Sequence, residues 1–193
     1  MKNRIVVIVL LFLSVTAISQ NKKFSIDVNY PLSLNAYEFQ KINGIIDASF
    51  KYRFKETNAM KLGASYTFDL LNEKDPFNNE VLDRKYSFHH LDVFSEFKLN
   101  NAEKLHPFVG IGYSMLFSEY EYFYSQNQFT EIKTEKYNAG GLNFNLGLSY
   151  DISPKFFIQS YFHYVRIYRE SPITNKMSGI NYNQIKLGAG FRF

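Results

Sequence analysis

Cysteine is absent from all 193 residues. That excludes a disulfide framework, zinc–thiolate sites, thiol catalysis and a lipid-modified cysteine at a processed N-terminus. Tryptophan is absent too, yet the chain carries 15 tyrosines and 20 phenylalanines, which is aromatic-rich for a soluble domain. Excess charge is also lacking: the formal net charge of +4 falls to +2 once Lys2 and Arg4 are set aside, so nothing favours a nucleic-acid partner. No second hydrophobic helix follows the apolar run near the N-terminus. A membrane-bound chain without one must cross as a closed barrel, because lipid supplies no hydrogen-bond partners for an open backbone.

What the N-terminus does contain is the charged, apolar, small-residue order of a secretory signal peptide. Lys2 and Arg4 precede the apolar stretch 5–13, and small residues dominate 14–19. The apolar stretch is too short for a membrane helix, which needs about 20 residues. Ala17 and Ser19 give a small-x-small pattern, so cleavage is expected after Ser19, with Ala17 the alternative, leaving residues 20–193 as one domain.

In the remaining chain apolar and polar residues alternate with period two, in segments near the 9–11 residues a membrane strand requires. Over 46–54, Ile46, Ala48, Phe50, Tyr52 and Phe54 oppose Asp47, Ser49, Lys51 and Arg53. Residues 60–70, 142–151 and 185–193 repeat the pattern. Segments 23–30, 88–99, 108–120 and 156–168 alternate with a more blurred period, the first ending where Pro31 is expected to stop pairing. The reading is an all-β, antiparallel up-and-down transmembrane barrel of eight strands. Its connections alternate in length: short turns at 55–58, 100–106 and 151–155, longer links at 71–85, 121–136 and 169–181. Outer-membrane barrels have short periplasmic turns and long outer loops.

A soluble ligand-binding barrel of lipocalin type also alternates, but turns its apolar face inward. The polar faces argue against it. Gly63, Ser65, Gly147, Ser149, Gly188 and Gly190 are small enough for a crowded eight-stranded interior, where a water-facing surface would favour long charged chains.

The leader, the alternating strands and the ending Gly188-Ala189-Gly190-Phe191-Arg192-Phe193 together resemble the outer-membrane β-barrel domain family, the porin-like OmpA/OmpX-type small barrels, especially those of the Bacteroidota. The resemblance implies an integral outer-membrane protein in contact with outer-membrane lipid and lipopolysaccharide. It also implies that Leu187, Phe191 and Phe193 form the signal read by the barrel assembly machinery during insertion, while Phe193 alternatively faces lipid at the interface. Members of the family are linked to anchoring, adhesion, small-solute passage and accessory roles in larger complexes, and the fold alone does not choose among these.

His89, His90 and Asp92 form the only compact cluster suggestive of metal or acid–base chemistry. His90 and Asp92 share one strand face and His89 points to the other, and only Glu96 or a loop offers a third ligand. A lipid-A deacylase is expected to carry a His-x-Ser pair, since the serine needs a base beside it, and His163-Tyr164-Val165 lacks that serine. No Ser-His-Asp order, glycine-rich phosphate loop or zinc signature stands out. No catalytic, cofactor or metal site is therefore expected.

The charges assigned to the inner faces are Asp27, Asp47, Lys51, Arg53, Lys61, Asp69, Asp92, Glu96, Lys98, Lys186 and Arg192. Both signs occur, so a paired, plugged lumen is expected, with a narrow pore as the alternative. Between 119 and 137 the chain is rich in rings. Tyr122, Phe123 and Tyr124 are a candidate loop contact, although the same residues would also serve as strands extended above the membrane. The functional expectation is a non-enzymatic structural or interaction barrel, a role that includes that of accessory subunit in a larger outer-membrane complex. The alternatives are a narrow pore for ions or small solutes and, last, a lipid-A-modifying enzyme.

Overall fold

The computed structural model describes residues 22–34, 41–74, 81–126, 129–170 and 177–193. The expected leader, 1–19, and the Pro76-Phe77-Asn78-Asn79 stretch, whose composition reads as a turn, lie outside them. Eight strands follow in order: β1 (Phe24–Ser33), β2 (Lys41–Glu56), β3 (Met60–Lys74), β4 (Val81–Phe97), β5 (Leu105–Gln126), β6 (Phe129–Asp151), β7 (Phe156–Glu170) and β8 (Met177–Arg192). Each pairs antiparallel with its sequence neighbour, and β1 pairs with β8 from Ser25↔Arg192 to Ser33↔Gln184, closing the ring. Closure leaves no free edge within the barrel wall. No helix among the described residues is long and apolar enough to cross a membrane.

The alternation read from the sequence determines which face each residue takes. On β2 Asp47, Ser49 and Arg53 are buried inside while Phe50, Tyr52 and Phe54 are exposed outside. On β6 Asn143, Asn145 and Ser149 point inward while Leu142, Phe144, Leu146, Leu148 and Tyr150 point outward. The small inner residues are a requirement of closure. A Cβ on Gly112 would run into the Leu91 carbonyl and the Asp92 carboxylate, and one on Gly188 into the Val28 carbonyl and Asn29.

Three expectations change. Pro31 does not end pairing: β1 continues past it against β8, with Pro31 opposite Lys186. Its pairing with β2 stops at Asn29↔Asp47, just before a bulge between Gly44 and Ile46, so the missing N–H falls where no ladder bond is lost. The link expected over 121–136 is mostly strand, because β5 and β6 stay in register up to Gln126↔Phe129. Tyr122, Phe123 and Tyr124 therefore belong to β5, opposite Lys133, Ile132 and Glu131. Lys98 does not enter the lumen: it follows β4 at the rim, where it binds Glu56 at 2.7 Å and donates to the Thr57 carbonyl at 3.0 Å.

Candidate functional site

The inward faces converge on the barrel axis in layers. Nearest the short turns, Arg53 donates to Glu96 at 2.8 Å and to Ser25 at 3.1 Å. Lys61 and Arg192 approach the other Glu96 oxygen, each at 3.9 Å. Arg192 also binds Asp151, whose second oxygen lies 3.1 Å from His106 Nε2. The Arg192 guanidinium lies 4.3 Å from the centre of the Phe157 ring, covering one face of the charge with π density.

The next layer is a continuous hydrogen-bonded network. Lys51 meets Asp27 at 3.1 Å and Gln159 at 3.0 Å. Gln159 donates to Asp27 and Asn29, both at 2.7 Å, and Asn29 donates to Asp47 at 2.6 Å. Lys186, with no exposed surface, bridges Asp47 at 2.5 Å and Asp69 at 3.0 Å. Deep charges are tolerable only with partners and hydrogen bonds of this kind. Of the charges assigned to the lumen, Asp27, Asp47, Lys51, Arg53, Lys61, Asp69, Glu96, Lys186 and Arg192 are thus joined by ion pairs. Asp92 is approached instead by the Asn145 amide, at 3.5 Å.

Toward the longer links the interior turns from polar to apolar. His90, Ser114, Asn143 and His163 are all buried. Above them Leu71, Phe88, Leu116, Val165, Ile167 and Tyr182 form an apolar plug. An internal cavity of about 30 Å³, lined in part by Arg53, Asp92, Glu96, Phe108, Tyr161 and His163, has room for roughly two waters. The sequence did not disclose the plug, because its residues are the outer ends of strands whose period is blurred there.

Two features of this interior bear on chemistry. His90 and Asp92 share the inner face of β4 while His89 points out, where Tyr66 Oη lies 2.6 Å from its Nδ1. Glu96, the third ligand suggested by spacing, is instead engaged by Arg53. His90 finds different neighbours: its Nδ1 is 2.6 Å from Ser114 Oγ and its Nε2 is 4.0 Å from Asp69 Oδ2. Serine and histidine so placed are a nucleophile and a base in principle, but at 4.0 Å Asp69 is too far to hydrogen-bond and orient the ring. Ser114 has no exposed surface, so in this closed arrangement no acyl substrate reaches it. These three residues sit on three strands, and no linear motif could have revealed them.

The outer wall decides what kind of barrel this is. Ile26, Val28, Leu91, Val93, Ile111 and Leu146 are 47–63% exposed, while lysine, arginine and aspartate side chains are sealed inside. A protein with its charges within and its leucines without is built for lipid. The chain belongs to the outer membrane protein beta-barrel domain family. The family's sequence model matches residues 5–193. This outer-membrane barrel resembles the solved Ail, the attachment invasion locus protein of Yersinia pestis (18% identity, covering 88% of this chain and 97% of that one, TM-score 0.55). It also resembles Neisserial surface protein A (13%, 89% and 97%, 0.55) and a major outer membrane protein of Thermus thermophilus (12%, 88% and 98%, 0.53). Identities this low speak for the fold alone. No curated protein matches the sequence.

At the end of the chain, Phe193 is 7% exposed. Its ring stacks on Phe24 and Phe191, with centroids 6.0 and 6.2 Å away, and its backbone exchanges hydrogen bonds with Phe24 at 2.9 and 3.1 Å. The last ring is thus covered by its neighbours, whereas Leu187 stands 47% exposed on the wall.

Proposed function

We propose that this outer-membrane barrel is a non-enzymatic structural or interaction component that displays the β5–β6 hairpin on the cell surface. The observation that carries this reading is the length of that hairpin. β5 has 22 residues and β6 has 23, roughly twice the 9–11 that cross a bilayer. The pairing of β6 with β7 begins only at Gly140↔Tyr168, so the upper part of β6 extends beyond its β7 neighbour. An extended strand past the wall is suited to main-chain pairing with a partner, and Tyr122, Phe123 and Tyr124 belong to the same ribbon. Because outer-membrane barrels keep their short turns in the periplasm, the ribbon faces outward.

The rest of the reading follows. The leader is removed after Ser19. The wall contacts outer-membrane lipid and lipopolysaccharide. The assembly machinery reads Leu187, Phe191 and Phe193 on the final strand, and the partner is a subunit of a larger outer-membrane complex. Ail has been crystallised with the heparin analogue sucrose octasulfate. A sulfated ligand is a weaker fit here, since the described part of the hairpin sets Glu119, Glu121, Glu131 and Glu135 against Lys133 and Lys136.

The test is gentle-detergent purification of the tagged barrel from outer membranes, beside a variant with residues 122–133 replaced by a two-residue Asn-Gly turn. A stoichiometric partner should accompany the first and be lost from the second, with both showing the heat-dependent gel shift of a folded barrel. Recovery of the barrel alone, or equal recovery of the partner by both, would remove the hairpin from the account.

A further inference from the structure

Between the charged network and the apolar plug lies a cluster that the ion pairs leave unsatisfied. Asp69 on β3, His90 on β4 and His163 on β7 each bring a ligand atom to within 4.8 Å of the others, all three buried. We propose that these residues form an internal site for one first-row divalent transition-metal ion, zinc(II) in type.

Four observations support the site. Among the described residues, neither ring nitrogen of His163 makes a hydrogen bond of normal geometry, nor does His90 Nε2 or Asp69 Oδ1, and the Gln184 side chain is the polar neighbour that His163 and Asp69 share. Buried polar atoms are seldom left so, and these converge on one point. Second, among the described residues Asp27, Asp47 and Asp69, above the Arg53 layer, share two ammonium groups, Lys51 and Lys186, while the neighbouring Asp92 is met by the Asn145 amide. A divalent ion offsets that deficit. Lys186 approaches Asp69 through Oδ2, the same oxygen that lies 4.0 Å from His90 Nε2, so an ion bound there shares this carboxylate with the ammonium. Third, Ser114 Oγ engages His90 Nδ1 at 2.6 Å and is itself held by Asn143 at 2.9 Å. Occupying one ring nitrogen turns the other toward the ion, as partners of metal-bound histidines do. Fourth, the small cavity borders His163 and has room for a water as fourth ligand. Two imidazoles and one carboxylate suit zinc, cobalt or nickel better than magnesium or calcium.

Plug and network seal the site from both ends, so the ion enters as the barrel closes. The untagged chain is therefore refolded from urea into detergent with cobalt(II) or zinc(II), then dialysed against chelator. We expect about one equivalent retained per folded chain, and X-ray absorption of the cobalt form should report two imidazole ligands. His163→Gln and His90→Gln should lose retention, His89→Gln should keep it, and Ser114→Ala should weaken it roughly 10–100-fold. A folded wild-type barrel that retains no metal, a cobalt spectrum without imidazole ligands, or a folded His163→Gln variant that retains metal as wild type does would each overturn the proposal. The wild-type measurements decide the matter even where a variant fails to fold.

Discussion

Removing the Lys186 ammonium would leave Asp47 and Asp69 facing each other across a dry interior, since Lys186 lies within 2.5 and 3.0 Å of them. Breaking a buried ion pair from one side costs about 3–5 kcal/mol, because the orphaned charge keeps its desolvation penalty. Lys186→Met should therefore destabilise the refolded barrel by that amount in a urea titration. Lys51→Met should cost less, because the Lys51 side chain is 14% exposed and Gln159 still donates to Asp27. Equal losses would mean that the two ammonium groups are equivalent and the layered reading is wrong. Alternation alone assigns both lysines to the interior. It was silent on which carboxylate each would find, because pairing depends on the stagger of strands far apart in sequence. His163 is the sharpest example: its neighbours in sequence show only that a serine is absent, yet its ring adjoins that of His90, with centroids 4.6 Å apart.

Two isoleucines separate the parts of a strand that touch lipid from those that extend past it. Ile111 on β5 is 63% exposed and Ile132 on β6 is 59% exposed, so accessibility alone does not distinguish them. Ile111 lies in the apolar wall, opposite Phe144 and Val93, whereas Ile132 lies on the long hairpin opposite Phe123. A lysine at the bilayer midplane costs about 2–4 kcal/mol, falling to about 0–1 near the interface. Ile111→Lys should therefore cost several times more than Ile132→Lys when unfolding is followed in lipid vesicles. Similar small costs would contradict the membrane placement of the wall. Strand existence was legible throughout because period-two patterning needs only local sequence. The upper ends of β5 and β6 were not, because above the membrane both faces of a ribbon meet water and the alternation that marks a half-buried strand disappears.

An eight-stranded ring leaves an interior that side chains can fill, and here the ion network, the histidine layer and the apolar plug occupy it in turn, with a small cavity of about 30 Å³ beside His163. In planar bilayers the purified barrel should give no resolved conductance steps, and neutralising Lys51, Arg53 or Lys186 should not create them. Sustained steps altered by those substitutions would establish the narrow-pore alternative. Local alternation is enough to specify eight strands and the inner and outer face of each, because side chains alternate across a strand whatever its neighbours are. It also determined the apolar wall that makes lipid the solvent. Which inward residues meet, where the lumen is plugged, and the convergence of Asp69, His90, Ser114 and His163 belong to the folded ring. Those contacts follow from the register of β3, β4, β5 and β7 around a closed ring, and register is fixed by closure and packing of the whole molecule, which no local pattern encodes.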